Sequence, residues 1–217
     1  MRKIALALLL ASSTSYAEIS ITPGFSLLNV SYDNEFFTYD DGGIAVDVTI
    51  AADNGYYFNG EVSQDGNEAL TRDTTTLTVG KSFTDLNLVA FVGLRNASTS
   101  GHEEGVSDND QIDVRFEING GFIGASKRFM VSDQSALSLS AAIGSMSADL
   151  ELEPANQATI SESADSTGYS AGAAYSSWFS NGIALTAGAK YQRYAFDFEG
   201  SDGETVSILY GKISYRL

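Results

Sequence analysis

Residues 112–118 read Ile-Asp-Val-Arg-Phe-Glu-Ile, so large apolar side chains alternate strictly with charged ones. Successive side chains of a β-strand point to opposite faces, whereas an amphipathic helix repeats every 3.6 residues. This stretch therefore predicts a strand with one apolar and one charged face. Apolar residues also alternate with small or polar ones at 44–50, 137–141 and 209–217. The chain is expected to be all-β, and the alternation alone suits either a soluble sandwich or a membrane barrel.

On both sides of this stretch, alternating segments are separated by residues typical of turns. Together they predict ten strands. If the short segment at 56–63 does not form a hairpin, the expected number falls to eight. The predicted strands cover residues 19–32, 43–52, 56–63, 73–83, 87–98, 111–129, 136–152, 166–179, 183–198 and 205–217.

The connections between these strands fall into two classes that alternate along the chain. Short turns are predicted at 53–55, 84–86, 132–134 and 180–182. Longer, acidic loops are predicted at 33–42, 64–72, 99–110, 153–165 and 199–204. Bacterial outer-membrane barrels show this asymmetry, with short periplasmic turns and longer extracellular loops. The pattern therefore favours a closed antiparallel transmembrane β-barrel over a sandwich.

The N-terminal segment predicts export from the cytoplasm. Arg2 and Lys3 precede an apolar run at 4–11, and small residues end the segment at Ala17. This is the layout of a cleaved signal peptide covering residues 1–17, which leaves 18–217 as one barrel domain. No later apolar stretch is long enough for a transmembrane helix, and only helices and closed barrels satisfy every backbone group in lipid.

The last residues carry a family resemblance. Apolar residues and one glycine occupy alternate positions up to the end of the chain, at Leu209, Gly211, Ile213, Tyr215 and Leu217. The segment resembles the C-terminal assembly signal of outer-membrane barrels, although that signal usually ends in Phe. The chain as a whole resembles the OmpA/OmpX-like small barrels, often labelled porin-family proteins. The resemblance implies outer-membrane location, contact with lipid and lipopolysaccharide, and the barrel-assembly machinery as a partner during biogenesis; a monomer is expected.

Composition argues against several kinds of chemistry. The chain has a net charge of −16, so a nucleic-acid partner is not expected. It has no cysteine and one histidine, which excludes a His/Cys metal site, and no cofactor is predicted. His102 lies in the loop sequence Ser-Gly-His-Glu-Glu, where neighbouring residues seldom form a nucleophile–base pair. We therefore predict that the protein is not an enzyme.

The acidic loops predict a role for divalent cations. Neither Asp40-Asp41-Gly42 nor Asp108-Asn109-Asp110 matches a calcium-binding loop, so no specific metal site is predicted. Calcium or magnesium could nevertheless bridge the acidic rim to anionic lipopolysaccharide. Three aromatic residues, Phe36, Phe37 and Tyr39, are expected in the first loop, facing a partner or the bilayer surface.

The polar faces of the strands predict the content of the lumen. If the large apolar residues face lipid, four acids and four bases point inward. A lumen of this width is narrow enough for side chains to fill, so the charges should pair and plug it. The alternative is that lumen water hydrates them. The predicted function is a structural or interaction barrel with a plugged lumen; the alternatives are a narrow porin for small solutes and, more distantly, an enzyme. The predicted lumen charges are Asp47, Glu61, Arg95, Asp113, Arg115, Glu117, Lys190 and Lys212.

Overall fold

The computed structural model describes residues 18–34, 38–67, 69–103, 112–154, 158–196 and 203–217. They form one closed barrel of ten antiparallel strands, in which each strand pairs with its neighbours in sequence and the first pairs with the last. No helix among these residues is long and apolar enough to cross a membrane. The predicted signal peptide, residues 1–17, lies outside the described part of the chain.

The predicted all-β barrel and its ten strands are confirmed, and the eight-strand alternative is wrong. The strands extend beyond their predicted bounds mainly on the side of the long loops. A 3₁₀ turn at Thr84–Leu86 connects β4 to β5. The strands are β1 Ile19–Asp33, β2 Thr38–Ala52, β3 Tyr56–Gly66, β4 Leu70–Phe83, β5 Leu88–Glu103, β6 Ile112–Ser132, β7 Ser135–Pro154, β8 Ile160–Trp178, β9 Ile183–Phe196 and β10 Glu204–Tyr215.

Two of the short turns depend on glycine. Gly55 has a φ of 88° and Gly182 a φ of 84°, in the left-handed region that residues with a Cβ rarely adopt. Each follows an asparagine whose side-chain oxygen accepts a hydrogen bond from the backbone two residues on, at 3.2 Å from Asn54 to Tyr56. The Asn-Gly signal therefore fixes the turns that separate β2 from β3 and β8 from β9.

The outer face carries an apolar band around the end of the barrel that bears the short turns, which we call the membrane belt. In β1 it spans 19–27, close to the about 9–11 residues that a transmembrane strand needs. Members of the belt are Ile19, Phe25, Leu27, Ile44, Val48, Phe58, Val62, Leu77, Val92, Leu94, Ile123, Leu139, Ile143, Tyr169, Leu185, Tyr191, Leu209 and Ile213, all exposed on the outer surface.

Beyond the belt, the outer face becomes polar while the strands continue. Along β7 the outward residues change from Leu139 and Ile143 to Ser147 and Asp149. The barrel thus has a membrane half, next to the short turns, and an extracellular half that projects beyond the lipid. The projection is longest at β6 and β7, which are 21 and 20 residues long.

The membrane belt predicts where a charge is costly. Leu139→Arg, in the middle of the outward apolar run 137–143 of β7, should destabilise the barrel by about 2–4 kcal/mol, as measured by urea unfolding in lipid vesicles. Ser147→Arg lies on the same face of the same strand, above the belt, and should cost no more than about 1 kcal/mol. Equal losses for the two variants would contradict the position of the belt.

The two clusters of buried apolar residues lie inside the extracellular half. One cluster consists of Phe116, Ile118, Met146, Ala148, Leu150 and Tyr194. A second consists of Val30, Tyr32, Tyr39, Leu70 and Val206. The interior of the projecting part is therefore packed like the core of a soluble protein, because water rather than lipid surrounds its outer face.

Candidate functional site

Five of the eight predicted lumen charges point into the barrel. Glu61, Arg95, Lys190 and Lys212 line its internal cavity. Asp47 is buried beside them and accepts a hydrogen bond from Lys212, with 2.7 Å between Nζ and Oδ2. Asn59 also donates to Asp47 Oδ2, at 3.2 Å. The Asp47–Lys212 pair joins β2 to β10 across β1, which is possible only in a closed barrel.

The prediction for Asp113, Arg115 and Glu117 is wrong, because these residues lie on the outer face. Arg115 is 59% exposed and pairs with Glu117 outside the barrel, at 2.5 Å. The apolar residues that alternate with them, Phe116 and Ile118, are each only 1% exposed and point inward. This part of β6 lies above the membrane belt, so its apolar face packs into the interior and its charges meet water.

A fully buried ion pair closes the extracellular half. Arg72 Nη2 lies 2.9 Å from Glu204 Oε1, and both side chains are 1% exposed. The other carboxylate oxygen of Glu204 accepts a hydrogen bond from the Tyr32 hydroxyl at 3.1 Å. Asn34 Nδ2 in turn donates to that hydroxyl oxygen at 2.8 Å. Both oxygens of Glu204 are therefore satisfied without water.

Two tyrosines complete this layer. Tyr39 donates a hydrogen bond to Asp65 and stacks on Tyr32, with ring centroids 5.1 Å apart. The Arg72 guanidinium lies 5.3 Å from the Tyr32 ring centroid. Burial raises the pKa of both phenols, which lie above the membrane belt, so both keep the protons they donate. We call Arg72, Glu204, Tyr32, Tyr39 and Asp65 the plug.

A second layer lies next to the plug. Arg95 Nη1 donates a hydrogen bond to the Tyr194 hydroxyl at 3.0 Å, so the guanidinium reaches from β5 to β9 across the lumen. Gln192 Nε2 donates to the same hydroxyl at 3.2 Å. Phe116 and Phe196 pack edge to face beside this layer, with centroids 5.1 Å apart. Polar and apolar groups together fill the cross-section.

Below these layers, the membrane half contains a cavity of about 600 Å³. Its wall reaches from Asp65 and Arg72 at the plug to Trp178 and Ser214 near the short turns. Its lining includes seven serines, four threonines, four tyrosines and one asparagine. The lumen is thus closed in its extracellular half and open enough for solute in its membrane half.

Sequence reasoning missed four members of the plug. Asp65, Arg72 and Glu204 were assigned to acidic loops, and Tyr39 was expected to face a partner or the bilayer. All four lie in strands and point inward. In the structure, Leu70, Arg72 and Thr74 are buried and alternate with more exposed residues, as in any strand with one inward face. These three inward side chains are apolar, charged and hydroxylic, so the sequence shows no regular alternation of apolar and polar residues here.

The predicted assembly signal is the outer face of β10. Leu209, Gly211, Ile213 and Tyr215 point outward, and β10 pairs with β1 to close the barrel. The Leu217 amide donates to the Ile21 carbonyl at 2.9 Å. Recognition of this outer face of β10 by the assembly machinery stays a prediction.

Acidic residues dominate the outer face above the belt. Only Arg115 and Arg193 oppose them among the described residues. No group of three or more histidine or acidic side chains in the described ranges is arranged to hold a metal ion. The outward acids are Asp33, Asp40, Asp73, Asp113, Glu117, Asp149, Glu151, Glu153 and Asp165.

Comparison with known proteins supports the fold. No protein-family model and no curated protein match the chain. Among solved structures, the outer-membrane protease OmpT of Escherichia coli is similar with a TM-score of 0.61 and 11% identity, over 95% of this chain and 99% of that one. The translocator domain of the autotransporter NalP of Neisseria meningitidis gives 0.51 and 10%, over 100% and 94%. The attachment invasion locus protein Ail of Yersinia pestis gives 0.46 and 16%, over 92% and 99%.

The chain therefore has the fold of outer-membrane β-barrels. The closed sheet leaves no unpaired edge, and the apolar belt matches the thickness of a bilayer. These two features place it in the outer membrane of a Gram-negative bacterium, in contact with lipid.

Proposed function

We propose that the protein is a non-conducting outer-membrane barrel that serves as a structural or interaction platform. The observation that carries this proposal is the buried Arg72–Glu204 pair, which spans the lumen within a layer of stacked tyrosines. A charge pair in this position blocks the path of a hydrated ion and holds the extracellular half in one arrangement. The conductance of the refolded protein in a planar lipid bilayer tests the proposal: insertion without steady current is expected, and a large, stable current would contradict it.

The projecting outer wall supports the interaction role. Strands β5 to β8 present an ordered polar surface above the lipid, stiffened from within by the cluster around Phe116. A rigid strand surface positions contacts more accurately than a loop does. The partners proposed for it are lipopolysaccharide and other components of the cell surface.

A narrow porin is the second candidate. The cavity of about 600 Å³ in the membrane half favours it, because much of a solute path exists there already. Conduction would require the plug to move aside. The similarity to OmpT is a similarity of fold at 11% identity, so the proposal stays with a barrel that is not an enzyme.

The acidic outer wall predicts a specific effect of divalent cations. Among the described residues, nine outward acids above the belt oppose Arg115 and Arg193, so the wall repels lipopolysaccharide phosphates unless cations bridge the two. Millimolar calcium or magnesium should therefore raise the melting temperature in lipopolysaccharide-containing vesicles more than sodium chloride of equal ionic strength does. Equal shifts would indicate simple screening and would contradict bridging.

The signal peptide remains part of the proposal. Cleavage after Ala17 gives a mature chain that starts at Glu18, and its recognition for assembly is proposed to depend on the outer face of β10. The intact mass of protein recovered from outer membranes should correspond to residues 18–217. A mass that includes residues 1–17 would contradict this processing.

A further inference from the structure

The membrane half of the lumen has the shape of a blind pocket. The plug closes its extracellular end, and its wall reaches residues beside the short periplasmic turns. Its volume of about 600 Å³ lies within the range of about 300–1,000 Å³ that is usual for small-ligand sites. A solute that enters from the periplasmic end therefore cannot continue outward and must bind or leave again.

Two bases in this pocket form no direct ion pair within the described residues. Asp47 neutralises Lys212, and Glu204 neutralises Arg72. In contrast, neither Arg95 nor Lys190 has a carboxylate oxygen within 4.0 Å in the described part of the chain. Lys190 also lacks a hydrogen-bond partner among the described residues.

The charged groups of these two bases extend into the same part of the lumen, beside β9. Lys190 lies on β9, and Arg95 reaches from β5 to Tyr194, which is also on β9. Both residues lie at the upper edge of the membrane belt, next to Leu94 and Tyr191. The carboxylates of Glu61 and Asp65 line the same cavity but lie more than 4.0 Å from the side-chain nitrogens of both bases.

Unmet hydrogen-bonding groups surround the same position. Arg95 Nε and Gln192 Oε1 are buried and have no partner among the described residues. Arg95 uses Nη1 for Tyr194, which leaves the edge formed by Nε and Nη2, the edge that binds two oxygens of one anion. Gln192 Oε1 needs a donor, which a hydroxyl group of the ligand supplies.

We propose that this pocket binds a small anion that carries a carboxylate or phosphate group together with a hydroxyl, held between Lys190 and Arg95 and admitted from the periplasm. The ammonium and guanidinium groups bind the oxyanion, and Gln192 accepts from the hydroxyl. This role is additional to the platform function. The binding site depends on the plug only because the plug closes the extracellular end of the pocket.

The test is a calorimetric titration. Inorganic phosphate is added at constant ionic strength to the refolded protein in neutral detergent micelles, and the heat of binding is measured. Saturable binding at one site is expected. Lys190→Met should weaken it about tenfold or more, because a charge-assisted hydrogen bond is lost, and Lys190→Arg should retain it. Glu61→Gln should tighten binding, since it removes the opposing acid.

Lys127→Met is the matched control, because Lys127 is an exposed base on the outer face. It should bind phosphate as the wild type does, and tetramethylammonium should not bind to either protein. Migration on gels before and after boiling checks that each variant is folded. Absence of saturable binding to the wild type would overturn the proposal. So would wild-type affinity in folded Lys190→Met, or an equal loss in Lys127→Met.

Discussion

Arg72→Ala should destabilise the barrel by about 3–5 kcal/mol, because it leaves the carboxylate of Glu204 buried without its countercharge. Glu204 is 1% exposed, and its remaining polar contact is the Tyr32 hydroxyl, which cannot neutralise it. The loss should appear as a shift of the urea unfolding midpoint in lipid vesicles. Arg115→Ala is the control: its ion pair with Glu117 lies on the outer face, so the expected change is within about 0.5 kcal/mol.

A double variant separates the charge effect from a general loss of packing. Replacing both Arg72 and Glu204 with methionine removes the two charges together, keeps most of the volume and leaves Asp65, with its hydrogen bond from Tyr39, as the one buried carboxylate of the plug. Such replacements are often close to neutral, so the double variant should be clearly more stable than Arg72→Ala. A double variant as unstable as the single one would contradict the uncompensated charge as the cause.

Phe116→Ala should cost about 3–5 kcal/mol, the usual range for removing a buried aromatic ring. Phe116 is 1% exposed and packs with Ile118, Met146 and Phe196 inside the extracellular half. Little can refill the space, because the surrounding strands are held by the closed barrel. Urea unfolding measures the loss.

Phe129→Ala is the matched comparison on the same strand. Phe129 is 47% exposed on the outer face near the short-turn end, where lipid fills the space that the ring leaves. Its replacement should cost clearly less. Similar losses for Phe116 and Phe129 would mean that the apolar face of residues 112–118 faces lipid, as the sequence pattern alone predicted.

The contrast at Phe116 shows what alternation can and cannot predict. The period of two located the strands, and the loop lengths identified the periplasmic and extracellular ends. Alternation does not say which solvent surrounds the outer face at a given height. Within the belt, lipid surrounds the barrel and the outward residues are apolar, as at Ile143. Above the belt, water surrounds the barrel and the outward residues are charged. The predicted inward orientation of Asp113, Arg115 and Glu117 was therefore wrong.

The plug escaped prediction for a related reason. Its members lie at strand ends that resemble acidic loops, because the outward neighbours of Arg72 and Tyr39 are themselves polar or acidic. Their partners are distant in sequence: Arg72 and Glu204 are 132 positions apart. Such contacts depend on the register of the closed barrel, and a single sequence does not specify that register. Asp47 and Lys212 were found because they lie within the belt, where the parity rule holds.

The buried Arg72–Glu204 pair and the packing around Phe116 together close the lumen in the extracellular half. The most direct test is the conductance of the refolded wild-type protein in a planar lipid bilayer. We expect insertion without steady current, and we expect current to appear when Arg72 and Tyr32 are both replaced by alanine. A large, stable, ion-selective current through the wild-type barrel would contradict the closed lumen and favour the porin.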